Sequence, residues 1–129
     1  NVVKCRPPEN RDPLPDELSA CDAYLERQIA AINPSIIVTL GRFSMGKYTQ
    51  GAKISQIHGQ MRKVGERYVI FTFHPAAALH QAALKPAILA DFAKLPELLD
   101  EARAALGRSA PKKKAVEFKE ADPKQLNLF

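Results

Sequence analysis

The fold is decided by the stretch Val69-Ile70-Phe71-Thr72-Phe73-His74-Pro75-Ala76-Ala77-Ala78-Leu79. Its first five residues are β-branched or aromatic and follow the turn residues Gly65-Glu66-Arg67, a pattern that predicts a buried strand. The apolar run stops at His74, which precedes a proline and is restricted by it. Open α/β sheets bind ligands beyond the carboxyl ends of their strands, so His74 is a candidate functional residue. The alternative is an ordered loop residue without a chemical role.

The segments before this strand alternate between helical and extended patterns. A helix is predicted from Pro15, favoured in a first turn, to the stop at Asn33-Pro34. Apolar residues at helical spacing predict its core-facing stripe: Leu18, Cys21, Leu25, Ile29 and Ile32. The unbroken apolar run 35–40 is typical of a strand in the middle of a parallel sheet. A short helix over 42–50 follows.

The remaining segments complete the pattern. Residues 53–67 favour a short strand or hairpin around His58-Gly59, with His58 a surface residue. A helix is predicted over 86–106, kinked or split at Pro96. Its predicted apolar side comprises Ile88, Leu89, Phe92, Leu95, Leu99 and Ala102. Strands alternating with helices predict a three-layer α/β/α fold on a parallel sheet.

Composition limits the class of protein. The chain has 129 residues, 46% of them hydrophobic, with a net charge of +5, which suits one soluble domain with a polyanionic partner. No apolar run is long enough to span a membrane, so no membrane partner is expected. Two cysteines favour a reducing compartment, and we expect a cytoplasmic protein.

The two ends of the chain differ from its middle. The chain starts without methionine on the strand-like Asn1-Val2-Val3, so we expect the carboxyl-terminal part of a longer protein. We divide it into a partial α/β domain (1–107), a flexible basic and polar linker (108–124) and a terminal peptide (125–129). That apolar peptide is typical of a short docking motif, although a chance apolar end is the alternative.

Three further features leave alternatives open. The spacing of Cys5 and Cys21 does not match a zinc knuckle, and from spacing alone a pair of half-buried thiols is the better explanation. Gly41 opens a helix and could face a phosphate, but a simple turn is the commoner role. His80 follows the histidine loop, where a neutral imidazole would contribute little to phosphate binding.

Asn1-Val2-Val3-Lys4-Cys5-Arg6-Pro7-Pro8 with Asn10-Arg11-Asp12-Pro13 resembles family 4 (iron–sulfur) uracil-DNA glycosylases. The resemblance continues through Glu17, Cys21, Tyr24-Leu25, 37–41 and His74-Pro75-Ala76-Ala77, and covers about residues 1–106. It implies removal of uracil from DNA by hydrolysis of the N-glycosidic bond, with the base flipped into a pocket. It also implies a [4Fe–4S] cluster, of which Cys5 and Cys21 match two of the four ligands.

The resemblance gives several residues a role. Asn1 would bind the uracil edge and His74 would donate to uracil O2 as negative charge develops. Pro75 and Ala76 would let the loop approach the substrate, and Leu79 would enter the duplex as a wedge. Candidate phosphate contacts, each also interpretable as a solvated surface charge, are Arg42, Lys47 and Lys85.

The sequence also departs from the family. It lacks the Gly-Glu-x-Pro-Gly-type loop with its water-handling acid, the paired cysteine motif and the aromatic that stacks on uracil. His80 stands where arginine is usual. We therefore expect residues 1–129 to be inactive alone. The alternatives are a relative acting on other deaminated bases and an inactive DNA- and clamp-binding module.

The terminal Gln125-Leu126-Asn127-Leu128-Phe129 resembles the pentapeptide that binds the bacterial sliding clamp. By that resemblance Gln125 makes a polar contact, and Leu126, Leu128 and Phe129 form the apolar part of the motif. The linker would then hold the enzyme near replicating DNA, so the two resemblances imply a nucleoid-associated protein, which we expect to be a monomer.

Overall fold

The computed structural model describes residues 1–107, so the predicted linker and clamp-binding peptide lie outside the described residues. The described helices and strands are α1 (Pro15–Ile32), β1 (Ile36–Leu40), α2 (Arg42–Gly46), α3 (Ile54–Ile57), β2 (Met61–Val64), β3 (Arg67–Thr72), α4 (Ala77–His80) and α5 (Lys85–Ala105). Single 3₁₀ turns occupy Pro8–Asn10 and Ala82–Leu84. None of the helices described is both long and apolar enough to cross a membrane.

The three described strands form one sheet in the order β1-β3-β2. β1 pairs with β3 in parallel, with Val38 opposite Ile70, and β2 pairs with β3 antiparallel. The predicted α/β class is confirmed, and the hairpin makes the described sheet mixed rather than wholly parallel. The hairpin turns at Gly65-Glu66 and not at His58-Gly59 as predicted.

β3, the strand quoted first, is the centre of the sheet and of the core. Val69 and Phe71 pack with Met45 of α2 and Ile57 of α3 on one face. Ile70 and Thr72 alternate with them and are also fully buried, so both faces of β3 are covered. β1, predicted to be a middle strand, lies at the edge of the part described here.

Buried threonines join β1 to β3 through side-chain hydrogen bonds. The hydroxyl of Thr72 donates to the carbonyl of Thr39 over 2.9 Å, and the hydroxyl of Thr39 donates to the carbonyl of Ile70 over 3.3 Å. Both hydroxyls are therefore satisfied in a buried region where an unpaired hydroxyl would be destabilising.

The helix α1 begins and ends at the predicted residues. Asn33 adopts a left-handed conformation (φ 45°) and donates its amide to the carbonyl of Ile29 over 2.8 Å, which ends the helix. The predicted stripe is half-buried along most of its length, but Ile32 is 74% exposed. The stripe therefore reaches the core only up to Ile29.

The other helices differ from prediction in detail. α2 stops at Gly46, and the single turn α3 was not predicted. Residues 1–3 form no strand. α5 continues through Pro96 without a break. The proline removes one backbone hydrogen bond of the helix, and the helix extends for several residues on either side of it.

The buried face of α5 also differs from prediction. It runs through Ile88, Asp91 and Ala102, whereas Leu89 and Phe92 are exposed. A carboxylate therefore occupies a position at which the apolar pattern predicted only aliphatic and aromatic residues.

Candidate active site

His74 lies just beyond the carboxyl end of β3, at the start of a helical turn. Its carbonyl accepts the amide of Ala77 over 2.9 Å, and its ring nitrogen Nδ1 accepts the amide of Ala76 over 3.1 Å. A nitrogen that accepts a hydrogen bond carries no proton, so the ring is the neutral Nε2–H tautomer. The exposed ring therefore presents an N–H donor at Nε2 beyond the sheet edge.

Gly41, at the end of β1, borders His74 on the neighbouring strand. Its amide donates to the carbonyl of Thr72 over 2.9 Å, and its φ of +84° is one that side chains disfavour. A Cβ atom on Gly41 would lie 3.2 Å from Cβ of His74. The glycine thus allows the two strand ends to approach closely and defines where His74 emerges.

His58, predicted to be a surface residue, is instead a partly buried partner of Asp91. Its Nδ1 lies 2.9 Å from both carboxylate oxygens of Asp91, and its side chain is 29% exposed. The His58 ring packs on the ring of Phe73 with centroids 4.6 Å apart. Sequence analysis missed Asp91, although its position three residues after Ile88 places it on the apolar side of α5.

Leu79 projects from α4, the helix that follows His74. It is 85% exposed, which is unusual for a leucine in an ordered helix, and Pro75 in the same loop is also exposed. Ala76 is half-buried, and its amide donates to the His74 ring. Leu79 therefore has the exposure that a side chain needs to enter another molecule.

Lys4 fixes the amino-terminal segment that carries Asn1. The Lys4 ammonium donates to the carbonyl of Asn1 over 2.9 Å and to the Gln28 side chain over 2.7 Å. The next residue, Val2, lines a cavity of ≈ 700 Å³ together with Arg42 and Phe43. This places the segment beside α2.

Neither Asn1 nor His74 lines this cavity. Its walls are Val2, Leu18, Ser19, Asp22, Ala23, Arg42, Phe43, Gly46 and Lys47. The side chain of Asn1 is exposed, and so is that of His74.

Lys4, the residue before Cys5, connects the two cysteines through its backbone amide. The amide of Lys4 donates to Sγ of Cys21 over 3.3 Å, so this sulfur lies beside the residue that precedes Cys5. Both thiols are free, and Cys5 is exposed. Within residues 1–107 no group of three or more histidine, cysteine or acidic side chains could hold a metal. The two thiols therefore offer at most half of a four-cysteine site.

Two of the three candidate phosphate contacts have carboxylate partners. Arg42 forms an ion pair with Asp12, while Lys47 bonds to Asp22 and, over 2.6 Å, to Glu26. Burial lowers the pKa of Lys47, but the two carboxylates outweigh it and the net shift is upward. Lys47 therefore holds α2 against α1, whereas Lys85 is exposed.

Comparison with known proteins gives the family. Residues 1–112 match the Uracil DNA glycosylase superfamily. The chain is 47% identical over 108 residues to a type-4 uracil-DNA glycosylase of Sulfurisphaera tokodaii, covering 76% of this chain and 49% of the relative. It is 40% identical over 116 residues to the type-4 enzyme of Archaeoglobus fulgidus, and the match covers 82% of this chain and 58% of that relative. It is 41% identical over 99 residues to the type-4 enzyme of Thermotoga maritima, and the match covers 73% of this chain and 52% of that relative.

The chain therefore belongs to the uracil DNA glycosylase superfamily, and the family predicted from the sequence is confirmed. It spans about half the length of the curated relatives it matches.

Proposed function

We propose that this chain is part of a DNA repair glycosylase that removes uracil from DNA. The observation that carries the proposal is the His74 tautomer: its Nδ1 accepts from Ala76, so its Nε2–H points away as a donor. The names of the relatives supply the substrate class. The net charge of +5 suits a polyanionic substrate.

The chemistry follows from the charge that develops on the leaving base. The N-glycosidic bond breaks with its electron pair on uracil, and the negative charge spreads to O2. There the Nε2–H of His74 donates, which stabilises the leaving group without a proton transfer from a charged imidazole. Water then adds to the sugar carbon and loses its proton to a base that we place outside residues 1–107.

Binding roles fall to the other predicted residues. Asn1 has a side-chain amide with both a donor and an acceptor, which matches the edge of uracil. The exposed Leu79 fills the space that the flipped base leaves in the duplex, and Pro75 and Ala76 form the turn that places it.

We also propose that Cys5 and Cys21 are two ligands of a [4Fe–4S] cluster. The Lys4 amide beside Cys21 Sγ supports this, since cluster sulfurs commonly accept backbone hydrogen bonds. The donor set fits a cluster only in part, and the other two thiolates would come from outside this chain. When bound, the cluster would fix the proline-rich segment 5–15 against α1.

The terminal peptide 125–129 supports a second interaction. We propose that Gln125, Leu126, Leu128 and Phe129 bind a bacterial sliding clamp, with the preceding segment as a tether. A tether raises the effective concentration of the glycosylase near the clamp without new contacts to DNA.

A strand-scission assay tests the proposed activity. The complete gene product and residues 1–129 are each incubated with single- and double-stranded oligonucleotides that contain one uracil, followed by alkaline cleavage. We expect excision by the complete protein and none by residues 1–129. A thymine-containing oligonucleotide is the matched control.

The two alternatives give different results in the same assay. Excision of another deaminated base but not of uracil would replace the proposed substrate. DNA binding by the complete protein without excision of any base would show a binding module instead.

A further inference from the structure

We infer that His58 and Asp91 form a positioning pair that sets the orientation of His74, an inference that rests on the proposed function. His58 bonds to Asp91 and packs on the ring of Phe73. The pair acts through Phe73, the residue directly before His74.

The pair is rigid because its acid is buried. Asp91 is 4% exposed, and both its oxygens lie 2.9 Å from Nδ1 of His58. A buried carboxylate is tolerated only with a strong hydrogen-bond partner, so Nδ1 of His58 carries a proton that it donates to Asp91. The shared contact with both oxygens fixes the plane of the His58 ring.

Gly59 allows this arrangement. It has a φ of +69°, and a Cβ atom there would lie 2.6 Å from Oδ1 of Asp91. Any side chain at this position would displace the carboxylate. The glycine thus lets the His58 turn lie directly on α5.

Backbone hydrogen bonds fix the same turn to β3. The amide of Gly59 donates to the carbonyl of Phe71 over 2.8 Å, and the amide of Phe71 donates to the carbonyl of Gln60 over 3.0 Å. His58 is therefore held in register with the last residues of the central strand.

The His58 ring transmits this position to Phe73. The two ring centroids are 4.6 Å apart with the planes tilted by 39°, and Phe73 is buried. Such aromatic pairs have a preferred geometry, so moving His58 moves Phe73. Because Gly41 borders His74 on the other side, a shift of Phe73 tilts the exit of His74 from the sheet.

The consequence is kinetic. A donor that must meet developing charge loses effect when it is displaced by about 1 Å, which can lower a rate by about 10²-fold. Because Asp91 is buried and the His58 side chain is only 29% exposed, we assign the pair no contact with DNA and expect substrate affinity to change little. A lower kcat with an unchanged KM separates a positioning role from a loss of folded protein.

The test uses the complete gene product. We expect His58→Ala and Asp91→Ala to lower kcat by about tenfold to 10²-fold and to change KM for uracil-containing DNA by less than about twofold. Asp91→Asn keeps an acceptor for the His58 Nδ1–H and should retain most of kcat. Asp100→Ala removes an exposed acid from the same helix and serves as the matched control.

Two further measurements keep the test decisive if the Asp91 variants fold poorly. Phe73→Leu keeps an apolar side chain but removes the ring contact, and it should lower kcat in the same way. NMR of the His74 ring and the Ala76 amide in His58→Ala should show shifts that are absent in Asp100→Ala. Unchanged kcat and unchanged His74 signals in folded His58→Ala and Phe73→Leu would overturn the inference.

Failure of the proposed function gives a different pattern. If the wild-type protein excises no uracil, the proposed function is wrong, and the NMR comparison alone decides whether the pair positions His74. Shifted His74 and Ala76 signals in His58→Ala then support positioning, and unshifted signals reject it.

Discussion

The amide of Ala76 donates to Nδ1 of His74 over 3.1 Å, which leaves Nε2 as the protonated nitrogen of a neutral ring. The loop itself thus selects the tautomer of His74, because the amide that fixes it belongs to Ala76, two residues later in the same loop. Helical hydrogen bonds from Ala77 to His74 and from Ala78 to Pro75 hold the Ala76 amide in place. A short run of small residues after the proline is what makes this turn compact.

Replacing His74 by alanine should therefore remove the donor and leave the fold intact. We expect kcat for uracil excision to fall by about 10²- to 10³-fold, the usual effect of losing one donor to a developing anion. The melting temperature should change little because the side chain is exposed. Single-turnover kinetics measure the rate, and His80→Ala, exposed in the same loop, is the control. Equal rates for His74→Ala and wild type would contradict the proposed role.

Gly41→Ala should disturb both the fold and the site. The added Cβ would lie 3.2 Å from Cβ of His74 at a φ of +84°, and we expect a destabilisation of about 1–2 kcal/mol with a lower excision rate. Gly51→Ala is the matched control, since Gly51 has a φ of +70° but no neighbour within 4 Å of the added atom. Denaturant unfolding and excision rates measure the two effects. If Gly51→Ala lowers the excision rate as much as Gly41→Ala, contact with His74 is not the cause.

The sequence predicted those helices and strands that depend on residues close together in the chain. The limits of α1 follow from Pro15 and Asn33, and β3 follows from its β-branched and aromatic run. The His58–Asp91 pair could not be predicted, because 33 residues separate its members and a single acid in an amphipathic helix normally faces solvent. Periodicity gives the side of a helix but not the partner that allows a charge to be buried there.

The interpretation of Lys47 shows the same limit. Its charge was compatible with a contact to phosphate or with a solvated surface position, and neither interpretation included its partners Asp22 and Glu26, which come from α1, one turn apart. Nothing in the sequence around Lys47 indicates that α1 packs beside α2. Roles that depend on packing between distant segments therefore needed the structure.

Glu17 should make stability depend on pH below the ordinary range of a glutamate. Hydrogen bonds from Arg11 and from the Leu14 amide lower the pKa of Glu17 from 4.5 to about 2. A depressed pKa stabilises the fold fully above about pH 4.5, and this contribution is lost as the pH falls through about 2.

Melting temperatures of Glu17→Gln and wild type, measured from neutral pH to about pH 2, check this dependence. We expect the difference between them to be largest above the ordinary pKa and to shrink below it. Glu97→Gln, at an exposed acid on α5, is the control and should follow wild type. A difference that grows as the pH falls would contradict the assignment.

Deletion of residues 125–129 should abolish clamp binding without affecting excision. The motif holds its apolar residues at the end of the chain, so a short truncation removes all of them. Surface plasmon resonance on an immobilised bacterial sliding clamp measures binding, with deletion of 115–119 as a control of equal length. Unchanged clamp binding after deletion of 125–129 would refute the assignment.

Cys21→Ser should remove iron from the complete protein. The Lys4 amide lies 3.3 Å from Cys21 Sγ and brings this sulfur beside the segment that carries Cys5, so loss of either thiol should prevent cluster assembly. We expect Cys5→Ser and Cys21→Ser each to lose the visible charge-transfer absorption and most of the bound iron. Ser19→Ala, on the same helix as Cys21, should keep both. Iron content measured by mass spectrometry gives the comparison, and a Cys21→Ser protein with wild-type iron and colour would show that this thiol is not a ligand.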